Sequence, residues 1–317
     1  MFSSFEICAG AGGQALGLEQ AGFNHVGLLE IDSYACSTLR LNRPSWKVHE
    51  QDIKTFNGHD LRGIDLLSGG VPCPPFSKAG KQEGENDERN LFPEALRLVG
   101  EIMPKAVMLE NVRGILDTVF DEYRQRIINE LNDLGYTAEW KLLNASDFGV
   151  SQLRPRVIFV AIRKDIANHF EWPKPSEIRP LTVGELLHDL MAEKNWFIAP
   201  KWKHWANDIA PTLVGGSKKH GGPDLGPTRA KKAWATLGVD GSGIADEAPQ
   251  HDFVGLPRLT VRMTARIQGF PDDWEFYGKK TAAYRQIGNA FPPPVAKAVG
   301  IQIRRCLENA AKEGYAI

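Results

Sequence analysis

The chain of 317 residues has few cysteines and almost no net charge. Its four cysteines, Cys8, Cys36, Cys73 and Cys306, lie far apart, without a C-x-x-C pair or a histidine at zinc-ligand spacing. That argues against a disulfide framework and a structural zinc, and no metal site is expected. Apolar runs never approach the roughly 18 residues of a membrane span. The opening Met1-Phe2-Ser3-Ser4-Phe5-Glu6 lacks a basic region followed by an apolar one, so no signal peptide is expected and the reading is cytoplasmic. Lysine and arginine (38) nearly balance aspartate and glutamate (39), so the net charge of −1 gives no overall attraction to a polyanion. A nucleic-acid partner would require the basic residues to be segregated. Repeats and low-complexity tracts are also missing. At 42% hydrophobic and 24% charged, the composition is that of an ordinary folded chain, long enough for two domains.

The first half alternates short apolar runs, at 4–9, 25–31, 64–68 and 106–110, with helical patterns at 14–21 and 34–42. Strands spaced by helices predict βαβ units and a mostly parallel sheet, an α/β Rossmann-like fold. A later pair of strands, 137–144 and 156–163, is expected to extend the sheet in antiparallel fashion. From about Glu171-Trp172-Pro173-Lys174-Pro175 to Pro257 the chain is rich in Gly, Pro, Lys and Trp without clear periodicity, which predicts a smaller, loop-rich domain. A helical pattern returns after Thr260, and 294–307 reads as an amphipathic helix that goes back to the first domain.

Three local patterns carry chemistry. Glu6-Ile7-Cys8-Ala9-Gly10-Ala11-Gly12-Gly13 is a strand running into a glycine-rich turn and then a helix, where backbone approaches a ligand closely and a helix N-terminus favours anionic groups. The spacing is not G-x-G-x-x-G, so S-adenosylmethionine suits it better than a dinucleotide. Glu30 ends the second apolar run, where a carboxylate in such folds accepts hydrogen bonds from ribose hydroxyls, and Asp52 is placed at the tip of the third strand. Gly69-Gly70-Val71-Pro72-Cys73-Pro74-Pro75-Phe76-Ser77 holds a thiol between prolines, which can neither join a helix nor pair in a sheet. A free cysteine is also a common core residue. What favours reactivity is Glu110-Asn111-Val112, a carboxylate at another strand end, because strand carboxyl ends converge on one crevice.

These blocks, followed by Gln152-Leu153-Arg154-Pro155-Arg156, Arg258-Leu259-Thr260 and Gln286-Ile287-Gly288-Asn289-Ala290, resemble the DNA cytosine C5-methyltransferases in order and over nearly the whole length. The resemblance implies that Cys73 adds as a thiolate to cytosine C6, that Glu110 hydrogen-bonds the N3 and amine side of the base, and that Arg154 contacts O2. It implies S-adenosyl-L-methionine as cofactor, converted to S-adenosyl-L-homocysteine, with Cys8, Ala9, Gly10, Gly12, Gly13, Glu30, Ile31, Asp52, Ile53, Pro72, Asn289 and Ala290 binding it. The partner implied is double-stranded DNA with the target base flipped out, contacted through Ser77, Gln152, Arg156, Lys218, Lys219, Arg229 and Arg258.

Lys201, Lys203, Lys218, Lys219, Arg229 and Lys231, interleaved with Trp202, Trp205 and Trp234, are expected to form the phosphate footprint of a recognition domain. The expected domains are 1–176 (catalytic), 177–283 (target recognition) and 284–317 (completing the first). The compact length points to a monomeric prokaryotic modification enzyme, paired with a restriction endonuclease acting on the same site without direct contact. A transfer-RNA cytosine methyltransferase and a catalytically silent DNA-binding homologue are the alternatives. Two departures stand out: Cys8 replaces the family's phenylalanine against the adenine, and Pro74 replaces the glutamine after the nucleophile.

Overall fold

The computed structural model describes residues 2–72, 90–216 and 222–315. Among them the elements run β1 (Phe2–Ile7), α1 (Gly13–Gln20), β2 (Phe23–Glu30), α2 (Ser33–Asn42), β3 (Val48–Glu50), β4 (Leu66–Gly70), α3 (Phe92–Ile102), β5 (Ala106–Val112), α4 (Asp121–Asp133), β6 (Tyr136–Asn144) and β7 (Pro155–Arg163). The second half adds α5 (Val183–Met191), α6 (Ala199–Trp205), α7 (Thr228–Thr236), α8 (Val261–Ile267), α9 (Lys280–Asn289) and α10 (Pro293–Lys312). No described helix is long and apolar enough to cross a membrane.

The described strands form one sheet in the order β3-β2-β1-β4-β5-β7-β6. It is parallel from β3 to β5 and closes with β7 and β6 antiparallel, as the strand patterns predict. Successive side chains alternate between its two covered faces, so the central strands are apolar at nearly every position. Leu66, Ala106, Met108, Ile158, Val160 and Ile162 face α1 and α10, whereas Leu67, Val107, Leu109, Phe159 and Ala161 face α3 and α4. The order of strands reverses between β1 and β4. In open α/β sheets the crevice at that switch point, beyond the strands' carboxyl ends, is where ligands bind.

The C-terminal helix does return to the first half. α10 lies so close to α1 that a Cβ on Gly17 would sit 2.4 Å from the Pro293 carbonyl oxygen and 2.6 Å from the Ala296 Cβ. Only a residue without a side chain allows that approach.

The region expected to be loop-rich is better ordered than its sequence pattern suggests. α5 opens with a capping box in which the Thr182 hydroxyl accepts from the Glu185 N–H and the Glu185 carboxylate accepts from the Thr182 N–H. α5, α6 and α7 are only 9, 7 and 9 residues long, too short for a clear period. They enclose a core of Leu187, Met191, Trp196, Trp202, Leu213 and Trp234, continuous with Leu16 of α1 and Ile287 of α9. This corrects the expected interleaving of tryptophans with phosphate-binding lysines. Trp202 and Trp234 are buried, Trp202 donating through Nε1 to the Gly238 carbonyl at 2.9 Å, and only Trp205 stays exposed.

Candidate active site

β1 ends in a turn whose backbone needs glycine. Gly10 and Gly12 have φ of 54° and 86°, in the left-handed region, and Cys8 itself adopts φ 50°, a conformation that costs a residue with a side chain on the order of 1 kcal/mol. Gly13 must be small for another reason, since its Cβ would lie 2.2 Å from the Phe291 carbonyl oxygen. Around Gly10 there is open space. The turn is fastened to the tip of β2 by Glu30, whose carboxylate accepts from Gly10 N (2.7 Å), Ile31 N (2.8 Å) and Asp32 N (2.7 Å). Burial raises the Glu30 pKa, and these three hydrogen bonds offset part of the rise.

Between this turn and α9 lies a cavity of about 230 Å³ whose walls include Cys8, Ala9, Gly10, Gly13, Glu30, Asn289 and Ala290. Seven of the residues expected at the cofactor therefore meet in one place. Ile31 stands beside it, 66% exposed although apolar. Asp52 caps the turn Ile53–Thr55 by accepting from Lys54 N at 3.0 Å, and Ile53 is buried beneath it. Neither lines the cavity, and neither does Pro72.

Among the lining groups that sequence reasoning missed are Glu6, Gln14 and Arg285. Glu6 is an acid between Phe5 and Ile7 at the end of β1, a pattern that could have flagged it. Its carboxyl receives hydrogen bonds from the Ala15 N–H and the Ser68 hydroxyl, and burial pushes its pKa well above the usual carboxylate range. Glu6 Oε2 and Gln14 Oε1 are buried with no hydrogen-bond partner among the described residues. A polar atom left in that state costs about 1–3 kcal/mol, so the cavity is short of a polar occupant.

On the same cavity, at the end of β5, stands Glu110. Its Oε1 lies 2.8 Å from Arg156 Nε, and both side chains are largely buried. Burial still dominates and raises the Glu110 pKa, with Arg156 and then Arg154 opposing the rise. Next to it, Asn111 Nδ2 donates to the Val71 carbonyl at 3.0 Å, and Leu91 N donates to the Pro72 carbonyl at 3.4 Å. Val71 and Pro72 thus leave β4 beside Glu110, with Pro72 tied to Leu91. Cys73, Pro74 and Ser77 themselves lie outside the described residues, as do Lys218 and Lys219.

Two expectations for the Gln152–Arg156 block need correction. Arg154, expected to contact the base, has no solvent exposure. It donates to the carbonyls of Leu213 (2.7 Å), Gly288 (2.7 Å) and Ala290 (3.1 Å), and to Gln152 Oε1 at 3.3 Å. Burial, and then the positive field of Arg156, weigh against its charge, and Glu110 partly compensates. Gln152, expected at DNA, is equally buried and donates to Gln268 Oε1 at 2.7 Å while accepting from Leu213 N at 2.9 Å. Both are internal struts. Arg156, expected at DNA, pairs with Glu110 on the cavity wall. Arg258 is held by Asp240 (2.8 Å) and the Ser242 hydroxyl (3.0 Å), whereas Arg229 on α7 is exposed.

A glycine turn and a carboxylate on neighbouring strand tips thus stand at the switch point of a doubly wound α/β sheet, on the wall of one cavity. The chain belongs to the C-5 cytosine-specific DNA methylase family, whose model matches residues 2–305. It is 60% identical over 310 residues to the type II methyltransferase M.NgoMIV of Neisseria gonorrhoeae, covering 97% of this chain and 98% of that one. To M.NaeI of Lentzea aerocolonigenes it is 57% identical over 308 residues, covering 95% and 74%. Among solved structures, Dnmt2 of Spodoptera frugiperda shares the fold with a TM-score of 0.66 at 18% identity, covering 97% of this chain and 100% of that one.

Two measurements check this assignment of roles. Arg154→Met removes the side-chain donor from the Leu213 and Gly288 carbonyls and leaves Ala290 with Gln268 alone, and is expected to cost about 3 kcal/mol or more of stability in denaturant titration. For Glu6 the sign follows from its raised pKa. Folding takes up a proton there, so its contribution is fully present below the ordinary carboxyl range and is lost as pH rises through the shifted one. Glu6→Gln removes that dependence, and its Tm relative to wild type is expected to climb as pH rises above the ordinary carboxyl range.

Proposed function

We propose that the protein methylates C5 of cytosine in double-stranded DNA at a short target sequence, with S-adenosyl-L-methionine as methyl donor. The observation that carries this reading is the buried Glu110–Arg156 pair at 2.8 Å, on the wall of the cavity that the glycine turn and Glu30 complete. Names of the relatives support it, both being type II methyltransferases.

The residues fit the cofactor. The open space at Gly10, the remaining lone pairs of the Glu30 carboxylate, and the unpartnered Glu6 and Gln14 oxygens suit a polar, cationic nucleoside. Ile31 offers the exposed apolar surface that Cys8 is too small to give an adenine ring. The bound cofactor supplies an electrophilic methyl group on a sulfonium. Asp52, Ile53, Asn289 and Ala290 complete the proposed binding set.

On the DNA side, the base must leave the stack, an unpairing that costs a few kcal/mol and is repaid by pocket contacts. Cys73 attacks C6 as a thiolate; an ordinary thiol, with a pKa of about 8.5, is mostly protonated at neutral pH, so the site must assist its ionisation. Addition pushes electron density toward N3. Glu110, whose burial favours the protonated form, offers a proton there, and Arg156, held by Glu110 through Nε and by the Pro155 carbonyl through Nη1 at 2.8 Å, fixes the carboxyl and is assigned the O2 contact. Arg156 thus takes the role expected of Arg154.

Residues 177–283 act as the recognition domain, between the catalytic segments 1–176 and 284–317. Exposed Lys201 and Lys203 on α6 and Arg229 on α7 supply phosphate contacts, with Lys218 and Lys219. The enzyme works as a monomer. A restriction endonuclease of the same specificity is its partner in function, without contact between the two.

The test is transfer of labelled methyl from S-adenosylmethionine to unmethylated DNA. Wild type is expected to label cytosine and Cys73→Ala to label nothing. Glu110→Gln and Arg156→Met should each lose about 10²–10³ in rate, the size of a transition-state hydrogen bond, while still binding cofactor. A near-normal rate in either would overturn the mechanism, and no labelling by wild type would overturn the function.

A further inference from the structure

The charged groups on the cofactor cavity are unevenly divided. Glu6, Glu30, Asp32 and Glu110 line it, against a single described cation, Arg285 of α9. Every acid there is engaged: Glu6 by Ala15 and Ser68, Glu30 by three backbone N–H groups, Asp32 as the cap of α2, and Glu110 by Arg156. Arg285 is different. It is half-buried, and its guanidinium makes no hydrogen bond or ion pair with any described residue. Four of its neighbours on the helix are fixed: Tyr284 and Ile287 are in the core, Gln286 holds Thr38 at 2.6 Å and Tyr277 at 2.9 Å, and Asn289 donates to the Gly216 carbonyl at 3.3 Å. Arg285 therefore stands on a rigid wall with its charge unused.

This inference rests on the cofactor reading above and deepens it. S-adenosylmethionine carries a sulfonium, an ammonium and a carboxylate. The acids answer the two cations, and the carboxylate needs a donor. In the glycine turn, Gly10 N already donates to Glu30 and Gly12 N to the Ala9 carbonyl. We propose that Arg285 binds the carboxylate of S-adenosylmethionine and is the residue by which the site distinguishes the amino-acid end of the cofactor from an uncharged or purely cationic one. A guanidinium suits this task because its planar fork matches a carboxylate with two parallel hydrogen bonds. Placing it opposite the acids also orients the cofactor, since the ends of the amino-acid moiety cannot exchange places without setting carboxylate against carboxylate.

The test measures binding, not turnover. Affinities of wild type, Arg285→Gln and Arg285→Lys are determined by calorimetry for S-adenosylmethionine and for its decarboxylated analogue, which keeps the sulfonium and the amine. Wild type is expected to prefer S-adenosylmethionine. Arg285→Gln should weaken that ligand about 10- to 100-fold and leave the analogue within about twofold, and Arg285→Lys should recover part of the loss. Equal losses for both ligands, or none for either, would overturn the proposal. So would unchanged cofactor affinity with weaker DNA binding and a salt slope reduced by about one, which would assign Arg285 to a phosphate. Wild type that binds neither ligand would instead refute the cofactor reading, and this inference with it.

Discussion

One guanidinium without access to water holds the two halves of the molecule in register. Arg154 reaches the Leu213 carbonyl of the second half and the Gly288 and Ala290 carbonyls where the chain returns from it. Those carbonyls belong to the end of α9 and the residues after it, which wall the cofactor cavity opposite the glycine turn. The shape of the cavity therefore depends on a charge that the interior tolerates only because its described partners are arranged around it. Gln152 and Gln268 continue the same network, Gln268 donating to the Ala290 carbonyl as well. Such a network is an all-or-none arrangement, because each unsatisfied member would carry a full desolvation cost.

The cavity itself is lined by acids. Glu6, Glu30 and Glu110 all have raised pKa values, each chiefly through burial. The field they set up favours a cation, and a cation in turn favours their ionised forms. Binding of a cation there would be coupled to proton release by that field. Glu110 is a special case, since Arg156 opposes the rise without cancelling it. A carboxyl whose burial favours the protonated form can give up a proton to a base that is becoming electron-rich, and Arg156 keeps it pointed in one direction.

Much of this was legible in the sequence, for identifiable reasons. Parallel strands buried on both faces are short apolar runs, and their carboxyl ends bear the loops that do chemistry, so Glu30, Glu110 and the glycine turn could be placed from local pattern alone. The two arginines could not be told apart. Arg154 and Arg156 are two residues apart on an extended segment and point the same way, and only the position of the returning chain decides which is covered and which meets Glu110. The tryptophans misled for a similar reason. Trp202 and Trp234 lie among lysines in sequence, yet short helices put the lysines outside and the indoles in the core. Arg285 was invisible because a cation in a helix acquires meaning only when a cavity joins it to other groups, whereas Glu6, an acid between two apolar strand residues, left a trace in the pattern.

The central claim is that Cys73 bonds covalently to the target base while Glu110 and Arg156 hold it. DNA substituted with 5-fluorocytosine tests it most directly, because the fluorine at C5 cannot leave as a proton does and the thioether to C6 is trapped. With S-adenosylmethionine present, the account predicts a denaturant-stable protein–DNA complex whose digested cross-link maps to the peptide containing Cys73. Methylation of ordinary DNA without any such complex, or a cross-link at another residue, would contradict it.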